Sequence, residues 1–242
     1  MEMIDLSRLE PQGTLNHTSK GNQLKWKCYG YWYKADHMGY EGLAETIVSA
    51  LLGKSTVKYP FVAYEYSQIK YKDRVYSGCK SADFLADGYD LIPLEKLYRK
   101  FTGGSLAVDT AHQGEIKNQI KFLVNFVEQT TGLQNFGQYL TSMLEIDAFF
   151  LNEDRHTNNI AVQYNAADDT YALCPLFDNG LSLLADTNVV FPLERSLEDC
   201  LKAVQVPSNR SDAHFLLSPR HTLKTMHTSM FRSAHLIFPL SI

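Results

Sequence analysis

One segment limits the possible folds of this chain more than any other. It covers residues 151–180 and reads LNEDRHTNNIAVQYNAADDTYALCPLFDNG. Asp154 and Asn159 lie in a polar loop, and Asp178 follows two β-rich runs. The short connection NAADD between those runs predicts a hairpin, and the outer ends of paired antiparallel strands lie side by side. The sequence therefore predicts that the three polar residues meet in space.

Phosphoryl transfer requires residues of these three types. A carboxylate is needed near the acceptor hydroxyl, and oxygen ligands must hold Mg²⁺ against the nucleotide phosphates. Asp154 is the candidate catalytic residue, and Asn159 and Asp178 are the candidate metal ligands. Each of them alone is more often a turn or capping residue that bonds its own backbone. The joint pattern, with Phe-Asp-Asn-Gly after the hairpin, favours a phosphoryl-transfer site.

The first half of the chain offers a lysine and a carboxylate for the phosphates. Lys34 lies in a predicted strand over residues 31–35, and the pattern predicts a helix over residues 41–52. At about 100° per residue the apolar positions of that helix form one broad face, with Glu45 at its edge. Glu45 is therefore predicted to point inward and orient Lys34. Glu41 on nearly the same face is a competitor for this role, and a solvated surface pair is the alternative reading.

Residues 79–93 are predicted to form the boundary between two lobes. The sequence there switches to polar and turn residues after predicted antiparallel strands at residues 60–67 and 69–77. A linker in this position would contact adenine, and its candidate nucleotide contacts are Ser81, Asp83 and Phe84. An ordinary strand-to-helix loop is the alternative.

Lys20, in the polar segment 7–22, is a further candidate nucleotide contact. Glycines in that segment would let backbone N–H groups approach phosphates closely. Neither a Gly-x-Gly-x-x-Gly nor a Walker pattern is present, so a flexible terminus is an equal alternative.

The second half reads as mainly helical. Helices are predicted at residues 94–100, 115–130, 138–151 and 196–204. Asp147 falls within an apolar helix, and a buried carboxylate needs partners, so it is predicted to brace the loop that follows. A position facing solvent is the alternative.

Composition narrows the class of protein. The 242 residues, 45% of them hydrophobic, suffice for one large domain or two lobes. A net charge of −4 offers no basic surface for nucleic acid or an anionic membrane. The scattered cysteines argue against a zinc site or a disulfide framework, and no apolar run approaches the about 18 residues of a membrane span. A cytoplasmic protein is predicted.

The segments NEDRHTNNIAV and LFDNG resemble the HipA-type bacterial serine/threonine kinases and, more distantly, the phosphatidylinositol kinases. The segment YWYKADHMGYEGLAETIVSALL is similar to the lysine strand and following helix of compact HipA-like proteins. The resemblance covers residues 23–185. It implies an α+β, bilobal protein-kinase-like fold, with an antiparallel β-rich N-lobe over residues 1–85 and a mainly helical C-lobe over residues 86–242.

The resemblance also implies ATP and Mg²⁺ as cofactors and transfer of the γ-phosphoryl group to a protein Ser or Thr hydroxyl. Matched by position, the functional residues are Asp154 (catalytic), Asn159 and Asp178 (metal), and Lys34 with its partner Glu45 (phosphates). Some HipA-type toxins are silenced by phosphorylation of a serine in the nucleotide loop, for which Ser19 is the candidate, and an antitoxin is an expected partner. Asn179 replaces the aromatic residue of Asp-Phe-Gly. A nucleotide-binding pseudokinase or regulatory partner, or a kinase for a lipid or small molecule, stays open.

Overall fold

The structure, a computed structural model, describes residues 3–12 and 23–205. Ser19 and Lys20, both expected near the nucleotide, lie outside those residues. Within the described ranges, no helix is both long enough and apolar enough to cross a bilayer.

The first half forms a five-stranded sheet with one helix packed on it. The strands are β1 (Met3–Asp5), β2 (Lys25–Cys28), β3 (Tyr31–Ala35), β4 (Glu65–Tyr71) and β5 (Arg74–Ala82), in the spatial order β1-β4-β5-β3-β2. β1 is parallel to β4, and the other neighbours are antiparallel. Helix α1 (Glu41–Leu52) packs against β4 and β5. Strand β3 and helix α1 have the bounds that the sequence predicted.

The hairpin between β4 and β5 corrects the predicted strands at residues 60–67 and 69–77. Its turn lies at Lys72 and Asp73, and Lys72 has a φ of 55°. Every second residue from Ser67 to Tyr71 is buried, so the strand continues through the predicted break. No glycine or proline marks the true turn, and alternation alone could not locate it.

The second half contains five helices and a three-stranded antiparallel sheet among the described residues. The helices are α2 (Leu94–Thr102), α3 (Leu106–Ala111), α4 (Ile116–Thr131), α5 (Phe136–Phe150) and α6 (Leu197–Gln205). The strands β6 (Tyr89–Pro93), β7 (Ala161–Asn165) and β8 (Thr170–Leu173) are ordered β6-β7-β8. Residues 79–93, predicted as the boundary between two lobes with a strand-to-helix loop as the alternative, include the end of β5 and the whole of β6. Pairing with β7, far along the chain, makes β6 a strand.

The largest hydrophobic cluster joins helix α1 to the helical half. Val48 and Leu52 of α1 belong to the same buried cluster as Leu97 of α2, Leu123 of α4 and Leu140 of α5. Helix α1, which carries Glu45, is thus fixed by the helical half as well as by the sheet.

A separate cluster covers the other face of the five-stranded sheet. Trp26, Tyr33 and Ile69 are buried in it. Since side chains alternate along a strand, the neighbours of these residues in β2 and β3 point to the opposite face. That second face carries Lys34.

Candidate active site

Lys34 lies at the centre of a buried ionic cluster. Its Nζ is 2.8 Å from Glu45 Oε1, 2.9 Å from Asp178 Oδ1 and 3.4 Å from the Tyr64 hydroxyl oxygen. The Glu45 side chain is 1% exposed and the Lys34 side chain 12%, whereas the Asp178 side chain is 22% exposed. Three residues from the first half thus meet Asp178, the predicted metal ligand, from the second half.

The charges of this cluster stabilise one another. Burial is the largest effect on Lys34 and lowers its pKa, but the Asp178 and Glu45 carboxylates outweigh burial and hold that pKa well above its ordinary value. Burial likewise raises the pKa of Asp178, while the Lys34 and Lys25 ammonium groups bring it far below its usual range. Lys34 is therefore a cation and Asp178 an anion at neutral pH.

Close packing of helix α1 on strand β5 sets the position of Glu45. A Cβ added at Gly42 of the helix would lie 2.3 Å from the carbonyl carbon of Gly78 in the strand. Only a residue without a side chain fits there, and this close approach carries Glu45, one turn further along, to Lys34. Glu41, the competitor for that role, instead accepts hydrogen bonds from the backbone N–H groups of His37, Met38 and Gly39.

The loop after helix α5 holds Asp154 and Asn159 together. The Asn159 Nδ2 group donates to the Asp154 carbonyl oxygen at 2.9 Å and lies 3.4 Å from the Asp154 carboxylate. The backbone N–H of Asp154 donates to Asn152 Oδ1 at 3.1 Å. The Asp154 side chain is 19% exposed, with His156 Nε2 at 3.8 Å from its carboxylate. The carboxylate is therefore accessible while its backbone is fixed.

Arg155 connects this loop to the turn that carries Asp178, and sequence reasoning missed it. Its guanidinium forms a bidentate pair with Asp147 at 2.9 Å for both contacts. One further nitrogen donates to the backbone oxygens of Asn159 and Phe177, at 3.0 and 2.8 Å. Because a single nitrogen bonds both segments, the chain at Asn159 lies next to the chain at Asp178. Asp147, which also accepts from Asn152 at 2.7 Å, braces the loop as the sequence predicted.

Asn179 joins the Arg155 network to the Lys34 cluster. Its Oδ1 accepts from Arg155 Nη2 at 2.8 Å, and its backbone N–H donates to Glu45 Oε2 at 2.9 Å. Glu45 thus contacts both Lys34 and the residue after Asp178. Asn179 stands where the Asp-Phe-Gly pattern has phenylalanine, and it has a polar role that a phenylalanine side chain could not fill.

Backbone geometry also distinguishes Asp178. Its φ of 61° is in the left-handed region, which costs most residues about 1 kcal/mol or more. Aspartate tolerates this conformation better than most, and the Lys34 contact holds the side chain in place. Such a backbone, held by surrounding contacts, is typical of functional turns.

The three linker residues have different surroundings. Phe84 packs on Phe177, with ring centroids 5.9 Å apart, so it lies against the turn that carries Asp178. The Asp83 carboxylate contacts the Lys27 ammonium at 2.5 Å and accepts from Trp32 Nε1 at 3.3 Å. Ser81 is a buried residue of β5, paired with Trp32. The structure therefore places Phe84 beside the cluster, engages Asp83 with strands β2 and β3, and keeps Ser81 within the sheet.

The side-chain oxygens of Asp178 and Asn159 suit a magnesium ion that is shared with phosphates. No group of three or more His, Cys, Asp or Glu side chains arranged to hold a metal occurs in residues 3–12 and 23–205. Mg²⁺ is bound in nucleotide sites by one or two protein oxygens together with phosphate oxygens and water. Asp178 supplies a carboxylate, and the Oδ1 of Asn159 accepts no hydrogen bond from the described part of the chain. These two residues fit a shared ion and not an independent metal site.

The sheet with one packed helix, the helical second half and the ionic cluster that joins them define a protein-kinase-like fold. A solved structure of this class, the proinflammatory kinase CtkA of Helicobacter pylori, matches 93% of this chain over 86% of its own length, with a TM-score of 0.55 and 16% sequence identity. At this identity the similarity shows the fold alone. No protein-family model and no curated protein gives a significant match to the chain.

Proposed function

We propose that this chain is an ATP- and Mg²⁺-dependent kinase that transfers the γ-phosphoryl group to a Ser or Thr hydroxyl of a protein. The observation that carries the proposal is the convergence of Lys34, Glu45 and Asp178 in one cluster, tied through Arg155 to the loop of Asp154 and Asn159. A lysine that grips phosphates, a carboxylate that orients it and two metal ligands are the parts that this chemistry needs.

Each residue has a distinct task in the proposed reaction. Lys34, oriented by Glu45, binds the α and β phosphates, and Asp178 and Asn159 hold the metal. Mg²⁺, when bound, neutralises charge on the β and γ phosphates. Asp154 orients the acceptor hydroxyl and accepts its proton as the oxygen attacks the γ-phosphorus, and ADP leaves. The partly exposed Asp154 carboxylate, 19% accessible, supports contact with an acceptor from outside.

The proposal also covers the phosphoryl acceptor, the protein partner and the cellular location. A protein Ser or Thr acceptor and an antitoxin partner follow from the resemblance of NEDRHTNNIAV to HipA-type kinases. The four cysteines are all unpaired, which suits a reducing compartment and supports a cytoplasmic location. Acceptors of other classes are outcomes of the labelling experiment below.

Thermal melts with and without Mg-ATP test nucleotide binding. Ligand at about 100 times its Kd stabilises a protein by about 2.7 kcal/mol, or about 5–10 °C for a chain of this size. The wild type should show this shift, and Lys34→Met and Asp178→Asn should lose most of it, each compared with its own melt without ligand. Asp154→Asn should keep the shift, since that residue acts on the acceptor. The control is Lys70→Met, which removes a sheet lysine that is 44% exposed and should keep the shift.

Labelled ATP incubated with a cell lysate tests transfer. Protein bands that carry label with the wild type and not with Asp154→Asn would support the proposal. Labelled lipid or a labelled small molecule would overturn the protein acceptor. A thermal shift without transfer to any acceptor would identify a nucleotide-binding pseudokinase, and absence of the shift in the wild type would exclude both nucleotide-dependent functions.

A further inference from the structure

Lys25 lies beside Lys34 on the face of the sheet that meets Asp178. It is the first residue of β2 and pairs directly with Lys34 across the β2–β3 ladder. Directly opposed residues of an antiparallel pair project from the same face, with Cβ atoms about 5 Å apart. The next pair, Trp26 and Tyr33, is buried in the cluster on the other face. Both lysines therefore point to the side where Asp178 lies.

The backbone of Lys25 is fixed while its ammonium has no ion-pair partner within the described chain. Its carbonyl oxygen accepts from the Gln12 N–H at 2.7 Å, and the neighbouring Leu24 carbonyl accepts from the Ala35 N–H at 2.9 Å. Lys34, by contrast, has two carboxylate partners. Like charges directly opposite each other destabilise a ladder, so strand pairing alone does not explain a second lysine opposite Lys34. The Lys25 ammonium, without an ion pair in the described chain, is available to a negatively charged ligand.

The strand register places Lys25 close to the site. Its Cβ lies about 5 Å from that of Lys34, as for any directly opposed antiparallel pair, and Lys34 Nζ is 2.9 Å from Asp178 Oδ1. The Lys25 ammonium can therefore attract a negative group held beside Asp178, although it forms no direct ion pair with that carboxylate.

The charge balance of the cluster shows what Lys25 adds. Lys34 carries one positive charge, and Glu45 and Asp178 carry two negative charges, so the cluster alone has a net charge of minus one. Such a cluster repels a nucleotide polyphosphate. Lys25 brings the net charge to zero before any metal is counted, on the face from which phosphates would approach.

We propose that Lys25 is a second phosphate-binding residue, which holds the terminal phosphates of a nucleoside di- or triphosphate opposite Lys34. This inference rests on the proposed nucleotide-dependent function and assigns a residue that the lysine-strand pattern does not mark. Lys20, the phosphate contact expected from sequence, lies outside the described residues, and Lys25 is the second lysine that the structure brings to the site.

Direct titration with Mg-ATP, Mg-ADP and AMP distinguishes a phosphate contact from a structural effect. Lys25→Met should weaken the binding of ATP and ADP by about tenfold or more, as expected for loss of a hydrogen bond between charged groups. AMP, which lacks the terminal phosphates, should bind within about threefold of its wild-type affinity. Lys25→Arg should restore ATP binding to within about threefold, and Lys70→Met on the same sheet should bind all three nucleotides like the wild type.

The possible results distinguish failure of the Lys25 proposal from failure of the proposed nucleotide-dependent function. Wild-type ATP affinity in Lys25→Met would overturn the role of Lys25 and leave the nucleotide site intact. Equal losses for ATP and AMP, or failure of arginine to restore binding, would also overturn it, because both indicate a structural role. A wild-type protein that binds none of the nucleotides would instead overturn the proposed function and, with it, the ligand assigned to Lys25.

Discussion

Replacing Arg155 with methionine should remove a large part of the stability of this protein. Five hydrogen bonds from the guanidinium connect Asp147, Asn159, Phe177 and Asn179. The side chains of Arg155 and Asp147 are 1% and 2% exposed, so methionine would leave a buried carboxylate without its cation. Removing one partner of a buried ion pair costs about 3–5 kcal/mol, which is a large fraction of the about 5–15 kcal/mol typical of a folded domain.

Urea unfolding followed by circular dichroism at pH 7 measures this loss. The matched control is Arg99→Met, because Arg99 is 70% exposed and lies 3.9 Å from Glu95. An exposed pair of this kind contributes at most about 1 kcal/mol. The two arginine variants should therefore differ by about 2–5 kcal/mol in the free energy of unfolding.

A double variant shows whether the effect comes from the pair itself. Asp147→Leu combined with Arg155→Met removes both charges, so the double variant should be less destabilised than the sum of the two single variants by about 1–3 kcal/mol. A loss below about 1 kcal/mol in Arg155→Met, or simple additivity in the double variant, would refute the reasoning.

Two further predictions concern the start of helix α1. Burial raises the pKa of Asp36 to about 6 from an ordinary value of 3.8, so its charged form is disfavoured in the folded state. Folding stability is therefore lost as the pH rises through about 4 to 6. After allowance for the partial exposure of this side chain, Asp36→Asn should stabilise the protein by about 1–2 kcal/mol at pH 7. Thermal melts below pH 4 should show no such gain, and a gain independent of pH would contradict the reasoning. Gly42→Ala should cost about 1–3 kcal/mol, because its Cβ would lie 2.3 Å from the Gly78 backbone. Gly53→Ala, whose Cβ meets nothing nearer than 3.5 Å, should change stability by less than about 1 kcal/mol, and equal melting temperatures for the two alanine variants would exclude the close packing.

Local patterns were sufficient where a segment makes its own structure. The periodicity of residues 41–52 gave the bounds of helix α1 and predicted that Glu45 points inward, where it is 1% exposed. The predicted apolar face was wrong in part, because Leu43, Ile47 and Leu51 are exposed and the buried face is centred on Glu41, Glu45 and Val48. The hairpin of β7 and β8 followed from two β-rich runs and a turn of small and polar residues. In each segment the pattern and the structure are set by neighbours within a few residues.

Local patterns failed where a distant partner decides. Strand β6 has no clear alternation and exists because β7, about seventy residues later, pairs with it. The register that brings Lys25 opposite Lys34 is likewise invisible in composition. A one-residue shift of that register would turn the side chain to the other face of the sheet.

The sequence alone predicted the protein-kinase-like fold, through the resemblance of the segment around Asp154, Asn159 and Asp178, and of the lysine strand with its helix, to a known kinase family. Only the tertiary structure decided how these parts connect. Arg155 forms hydrogen bonds that join the loop of Asp154 and Asn159 to the turn of Asp178, and Asn179 joins that network to Glu45. The physical reason is that such bonds join residues up to 134 positions apart, and their geometry depends on packing between segments that no local pattern contains.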